Sequence, residues 1–386
     1  MRLLHLIPSL NPEYGGTVEG LKQLAAALTV QGHQVEIATL DVPGSPWGNM
    51  ASVPVHDLGP GKLNYRYSGK LVPWLRDNAR NFDAVIVEGL WQFPGYAARK
   101  ALRGLGIPYF VFAHGMLDPW FRQTYPLKHL KKWLYWPWAE YRVLRDANAV
   151  LFTSEEEKIL ARQSFWLYRC REAVVSYGAA APAGNLAQQR EAFYAAYPDL
   201  RGKRLLLFLS RIHEKKGCDM LTEAFARIAA RDPALHLVMA GPDQTGLKKD
   251  LVSLSKRSGA EHRITWTGMI SGDLKWGAYA AADAFILPSH QENFGMVVAE
   301  ALACGVPVLI SDKVNIWREV EADGAGMVAP DTLAGSVELL EKWLELDATA
   351  RAAMRQRAAA CFASRFDMAQ VARNLSAIIG ECREPV

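Results

Sequence analysis

Short, strongly apolar segments recur along this chain, and most run through a glycine or polar break into a stretch with helical spacing. The first is RLLHLIP at 2–8, broken at Gly15 and Gly16 and followed by Val18, Leu21, Leu24, Ala25 and Leu28 on one helical stripe. VEIATL at 35–40, AVIVEG at 84–89, YFVFAHG at 109–115 and AVLFTS at 149–154 continue the series. Segments this apolar are buried on both faces, the condition of strands in a parallel sheet covered by helices. After a small-residue stretch at 178–190 the alternation restarts with RLLLFLSR at 204–211 and a helix over 217–231. LHLVMAG, RITWTG, AFILPS and VPVLIS follow, beginning at 235, 263, 284 and 306. The expected fold is α/β, two Rossmann-like doubly wound domains over residues 1–180 and 181–365, hinged near Gly178 to Gly184. From Leu333 onward the chain reads as three helices with no strand, and the last, residues 366–386, is expected to pack back on the first domain. Two facing domains of this kind bring the carboxyl ends of both sheets to one interdomain cleft, where ligands bind.

The length of 386 residues agrees with two domains. A net charge of +4 and 50% hydrophobic residues exclude disordered, collagen-like and disulfide-scaffold classes. Cys170, Cys218, Cys304, Cys361 and Cys382 are widely spaced with no CxxC pair, which suggests reduced thiols rather than a disulfide framework or a zinc knuckle. The N-terminal segment reads as a first strand, not a signal peptide, and no run reaches the ~18 apolar residues of a membrane span. The expected location is cytoplasmic, at the inner face of a membrane. No DxD and no His/Cys cluster with metal-ligand spacing occurs, so no metal or other cofactor is expected.

PSHQENFGMVVAEALACGVPVLIS, residues 288–311, is the stretch richest in chemistry. A strand runs into a turn and a helix opens near Gly295. Glu292 in the turn and Glu300 between one and two helical turns in can then face one cleft, and the amides of Asn293, Phe294 and Gly295 suit an anion. Two surface glutamates flanking a core helix would show the same spacing. Upstream, LFLSRIHEKKG places Arg211 and Lys216 ahead of a helix start at Gly217, a pair suited to a departing diphosphate.

SRIHEKKGCDMLTEAF, VMAGP and SHQENFGMVVAEALACGVPVL together resemble the C-terminal half of glycosyltransferase family 4, and the order of elements extends the resemblance over nearly the whole chain. The resemblance implies a GT-B fold and a retaining, metal-independent hexosyltransferase with a nucleotide-sugar donor. By resemblance, Glu292 contacts the donor sugar and Glu300 the nucleotide ribose, while Arg211 and Lys216 hold the diphosphate. Gly15 and Gly16 form the first-domain glycine loop, Asn293, Phe294 and Gly295 face sugar or phosphate, and His114 lies beside the sugar. Met269 and Ile270 meet the base through their backbone. Asn293 departs from the pattern, since many members carry a small residue there. The acceptor expected is a saccharide or polyprenyl-linked saccharide in cell-surface polysaccharide or glycolipid synthesis, with a lean toward GDP-mannose as donor. With no obvious nucleophilic carboxylate, front-side substitution is favoured, the leaving phosphate helping to deprotonate the acceptor. A non-catalytic two-lobed sugar- or nucleotide-binding protein is the alternative; a dehydrogenase is disfavoured because GxGxxG is absent at Gly15–Gly16.

Residues 120–145 set Arg122, Lys128, Lys131, Lys132, Arg142 and Arg145 against Glu140 alone, with Trp120, Trp133, Trp136 and Trp138 interleaved. One amphipathic stretch of this composition suits a membrane interface, with Lys128, Lys131, Lys132 and Trp133 as contacts. A long helix with tryptophans in the core and solvated lysines reads equally well. No nucleic-acid module surrounds it, so no nucleic-acid partner is expected. Glu88 and Trp91, ending the AVIVEGLW strand, are placed to meet the acceptor, Glu88 as a weak base or as a buried structural glutamate.

Overall fold

The computed structural model describes residues 1–124 and 126–382. By its contacts the chain divides into two compact units, residues 1–178 with 368–386, and residues 179–367. The first unit holds strands β1 (Arg2–Ile7), β2 (Gln34–Thr39), β3 (Val55–Asp57), β4 (Ala84–Glu88), β5 (Tyr109–Phe112), β6 (Ala149–Phe152) and β7 (Glu172–Val174). They form one parallel sheet in the order β3-β2-β1-β4-β5-β6-β7. The second unit holds β8 (Arg204–Leu209), β9 (Leu235–Ala240), β10 (Ile264–Gly268), β11 (Ala284–Leu287), β12 (Val308–Ser311) and β13 (Gly326–Ala329). Their order is β10-β9-β8-β11-β12-β13, again all parallel. Each sheet therefore reverses its winding once, between β1 and β4 and between β8 and β11, and the crevice at such a reversal is where doubly wound sheets take ligands.

Strand alternation divides the first sheet between two cores. Leu4, Leu6, Val85, Val87 and Val111 face one, with Trp136 and Phe165. Leu3, Ala84, Ile86, Phe110 and Phe112 face the other, with Leu24 and Leu28 of the helix Gly16–Val30. The helix Met368–Glu381 joins this second core through Met368, Val371, Ala372, Leu375 and Ile379. Gln31 Nε2 donates to the Ala369 carbonyl at 2.7 Å, and Ser376 Oγ lies 3.0 Å from His33 Nε2, tying the two helices at their polar margin.

Three strands lack a sequence signature. β3 and β7 are three-residue edge strands only half-buried, and β13 opens on glycine, so none needs an apolar run. The helix Leu186–Ala196 falls partly within the stretch read as a linker; it buries only Gln189 and Phe193, and Asn185 Oδ1 caps it by accepting from the amides of Ala187 and Gln188. Residues 120–145 are a correction: not one amphipathic stretch but three helices, Trp120–Thr124, Pro126–Tyr135 and Glu140–Asp146. Pro126 and Pro137 interrupt the helical ladder.

Candidate active site

In the second unit Arg211, Lys216, Glu292 to Gly295 and Glu300 lie on the segments that follow β8 and β11, the strands at the reversal, while Met269 and Ile270 follow the edge strand β10. After β8 the chain makes a single 3-10 turn, Glu214–Lys216, whose first amides are capped by His213 Nδ1 accepting from the Lys215 N–H at 3.0 Å. Gly217 follows at φ +65° and opens the helix Cys218–Ile228. A side chain there would put its Cβ 2.1 Å from the Pro288 carbonyl oxygen, so only glycine lets this turn approach the loop after β11. The Lys215 carbonyl accepts from Ser289 Oγ at 3.0 Å and from the His290 N–H at 2.9 Å, and Ser311 Oγ donates to the Ser289 carbonyl at 2.5 Å. Clamped in this way, the two loops bring Lys216, 7% exposed, into an ion pair with the Glu292 carboxylate. Glu292 is itself fixed by its backbone, its N–H donating to Lys313 at 2.9 Å and its carbonyl accepting from Asn315 at 3.0 Å.

Glu300 lies in the helix Met296–Ala303, which Gly295 begins at φ +80°. Its carboxylate accepts from Lys275 Nζ at 2.9 Å and from Tyr279 Oη at 3.0 Å. Burial, then the neighbouring Glu300 charge, pushes the Tyr279 hydroxyl well above its ordinary range and keeps it a donor. Phe294 is core, its ring edge-on to Phe366 at 5.5 Å, so only its backbone is available to a ligand. Asn293 is half-buried. Arg211 is exposed and reaches Gln244 Oε1 at 3.3 Å. After β10, Met269 is 77% exposed and Ile270 is buried.

In the first unit Glu88 ends β4 with both carboxylate oxygens engaged, by His5 Nδ1 at 2.7 Å and His114 Nε2 at 2.6 Å. Burial alone would raise its pKa, but the hydrogen bonds and charges of His114 and His5 hold it down at about 2. An ionised Glu88 requires an N–H from each imidazole, so His5 presents its Nδ1–H and His114 its Nε2–H to the carboxylate. The geometry thus makes Glu88 the residue that orients His114, rather than a base with an oxygen free for an acceptor. His114 sits at φ +47° and stacks on Phe112 at 5.1 Å. The Tyr177 ring meets it edge-on at 5.6 Å, and the Tyr177 hydroxyl reaches the Gly16 and Thr17 carbonyls at 3.4 and 3.3 Å. The glycine loop, with Gly15 at φ +75°, and the histidine are thereby linked within one unit.

The predicted membrane residues separate. Lys128, Lys131 and Trp133 are exposed, and the helix Pro126–Tyr135 buries no residue. Lys132 instead points inward, 4.7 Å above the Trp91 ring and 5.2 Å from that of Phe121, and burial lowers its pKa. Trp136 is fully buried and stacks on Phe165 at 4.5 Å, while Trp91 is half-buried and donates to the Met116 carbonyl at 3.1 Å.

Several of these partners escaped the sequence reading. Lys275 and Tyr279, the holders of Glu300, carry a legible signal in their i, i+4 spacing on one helix face. His5 is a polar residue among the apolar positions of Leu3–Ile7, and strand alternation puts it on the face of Ile86 and Glu88. Tyr177 has no such signal.

Two parallel α/β units, each with its polar and charged side chains collected where strand order reverses, define the GT-B glycosyltransferase architecture. A "Glycosyl transferase 4-like domain" model matches residues 15–178 and a "Glycosyl transferases group 1" model matches residues 190–360. The chain belongs to this group 1, GT4-like family of glycosyltransferases. A D-inositol 3-phosphate glycosyltransferase of Rhodococcus erythropolis is 24% identical over 380 residues, 87% of this chain and 81% of that protein. One of the same description from Geodermatophilus obscurus is 39% identical over 131 residues, 32% of this chain and 29% of its own length; most of the curated relatives align over less than half of theirs. Among solved structures, Anabaena Alr3699/HepE in complex with UDP has a TM-score of 0.78 at 19% identity, covering 99% of this chain and all of that one. WaaG, a glycosyltransferase involved in lipopolysaccharide biosynthesis, has a TM-score of 0.63 at 17% identity, covering 98% and 99%.

Proposed function

We propose that this enzyme transfers a hexosyl group, with retention and without a metal, from a nucleoside-diphosphate sugar to a saccharide or polyprenyl-linked saccharide acceptor. The observation that carries the reading is the Lys216–Glu292 pair, a nearly buried ammonium held by clamped loops against a carboxylate at the strand reversal. A cation fixed in this way balances the charge that grows on a departing diphosphate, the task a metal ion performs elsewhere. Arg211 adds a second, exposed cation, and the amides at 293–295 add the partial charge of a helix start. Glu292 accepts hydroxyls of the transferred sugar, and Glu300, held by Lys275 and Tyr279, accepts those of the ribose. The backbone at Met269 and Ile270 meets the base. In the first unit Gly15, Gly16 and His114 are the proposed sugar and phosphate contacts, His114 positioned by Glu88. In the reaction the bond from sugar C1 to the diphosphate oxygen breaks, and a bond to the acceptor oxygen forms on the same face. The acceptor proton passes to the leaving phosphate.

Thermal unfolding against UDP, GDP, ADP and dTDP and their sugars, with and without divalent cation, tests the reading. HepE makes UDP the first nucleotide to try, and GDP is the lean of the sequence. One nucleotide is expected to raise Tm without metal, and Lys216→Ala to abolish that rise and lower transfer by about a hundredfold or more while leaving the ligand-free Tm within a few degrees. No response to any nucleotide would favour a binding protein of other specificity.

We further propose that the enzyme works at a membrane surface, in cell-surface polysaccharide or glycolipid synthesis. Around the helix Pro126–Tyr135, Leu127, Leu130, Trp133, Leu134, Trp138 and Trp166 are exposed beside Lys128 and Lys131. Among the described residues no helix is long and apolar enough to cross a membrane. Sedimentation with anionic vesicles at low salt should retain the wild type and release Leu130→Glu/Trp133→Glu; equal retention of both overturns this reading.

A further inference from the structure

A cavity in the first unit lies at the opposite end of the sheet from Glu88 and His114. It measures about 930 Å³, and its walls come from the loops that enter β4, β5 and β6. Asp83 precedes β4 and Glu88 ends it, so at about 3.3 Å per residue the cavity mouth and the Glu88 carboxylate are roughly 16 Å apart along the strand.

Four arginines line this cavity, Arg80, Arg99, Arg103 and Arg145, against two carboxylates, Asp83 and Asp146. Both carboxylates have work within the fold. Asp83 accepts the Arg2 backbone N–H at 2.7 Å, and Asp146 accepts from Arg99 Nε and Arg145 Nε, each at 2.7 Å, fixing those two guanidinium groups in place. Arg80 and Arg103 are exposed and form no ion pair with any described residue. A concave surface with two more arginines than carboxylates concentrates anions, and arginine forks match phosphate oxygens two at a time. The volume is that of a site for a nucleotide-sized molecule, and Ile107 and Pro108 supply an apolar wall for an organic moiety.

We propose that this cavity is a binding site for an organic phosphate of about nucleotide size, separate from the donor site of the second unit. Arg99 and Arg145 are its pre-set ligands, and Arg80 and Arg103 close on the phosphate from solvent. The phosphate can be that of a free metabolite or of a lipid headgroup, the same chemistry at the contact.

The test is calorimetric titration of inorganic pyrophosphate into the full chain on a Lys216→Ala background, which weakens the second unit's phosphate contacts, with and without Arg80→Ser/Arg103→Ser. Neither arginine has an ion-pair partner among the described residues, so Tm should change little in the double substitution. The proposal expects pyrophosphate affinity to fall at least tenfold when both arginines are replaced; equal affinity, or no pyrophosphate binding by the Lys216→Ala parent, overturns it. If vesicles containing phosphatidic acid also lose protein upon the Arg80→Ser/Arg103→Ser change, the source is a headgroup. If pyrophosphate binding falls and vesicle binding does not, it is a free phosphate. Because the readout sits on Arg80 and Arg103, it stands whether or not a nucleotide sugar is the donor.

Discussion

At Glu140 the fold buries a carboxyl group to 1% exposure with one oxygen, Oε1, left without a hydrogen-bond partner among the described residues. Burial raises its pKa to about 7, more than the Trp91 N–H and the Lys132 charge lower it. The folded value lies above the unfolded one, near 4.5, so the contribution to stability is intact below about pH 4.5 and is lost as pH rises through 7. Glu140→Gln removes this loss. Urea midpoints should show the substituted protein gaining on the wild type between pH 5 and pH 8.5, by an amount on the order of 3 kcal/mol. A constant difference across that range would mean that Glu140 does not titrate there. Glu88 behaves oppositely: two histidines hold it ionised, so its contribution is full above about pH 4.5 and fades toward pH 2. Both residues are glutamates at 5% exposure or less, and composition cannot distinguish them. Whether a carboxylate meets two N–H groups or one is decided by neighbours distant in sequence.

At the scale of elements, the turn Glu214–Lys216 with Gly217 shows how a loop becomes a site. The sequence placed Arg211 and Lys216 before a helix start, and that helix begins at Cys218. What the spacing did not carry is the clamp of the Lys215 carbonyl by Ser289 and His290, which comes from another loop. Gly217→Ala forces a Cβ against the Pro288 oxygen at a positive φ, and is expected to cost about 2 kcal/mol or more. The corresponding fall in Tm is roughly 5 °C or more. Nucleotide binding should weaken with it; a retained Tm with unchanged binding would show that the close approach of the two loops is dispensable. The segment 120–145 makes the converse point. Its composition suits one surface stretch, yet Trp136 and Lys132 turn inward while Trp133 and Lys131 do not, because successive side chains of the helix Pro126–Tyr135 point in different directions and Pro137 follows that helix.

At the scale of the whole chain, the first unit is completed by its last helix. Met368, Val371, Leu375 and Ile379 are each 6% exposed or less in the core beneath β1, β4 and β5. Four such side chains at about 2 kcal/mol each amount to most of the stability of an ordinary domain. Truncation after Asp367 should leave the first unit unfolded or aggregated, seen as loss of its cooperative melting transition; an unchanged transition would mean the helix is dispensable. That an α/β chain of this kind folds as two parallel sheets was determined by sequence alone, because strands buried on both faces must be apolar throughout and their runs are visible one by one. So were the positions of Glu292, Lys216 and His114 in segments that follow strands, and of Glu300 in the helix after Gly295, since strand and helix periods fix them locally. Tertiary structure alone decided the partners: Lys216 with Glu292, Lys275 and Tyr279 with Glu300, His5 with Glu88, and the arginines at the opposite end of the first sheet. Those pairings depend on which loops a strand order makes adjacent, and strand order is set by packing over the whole unit rather than by any local pattern of residues.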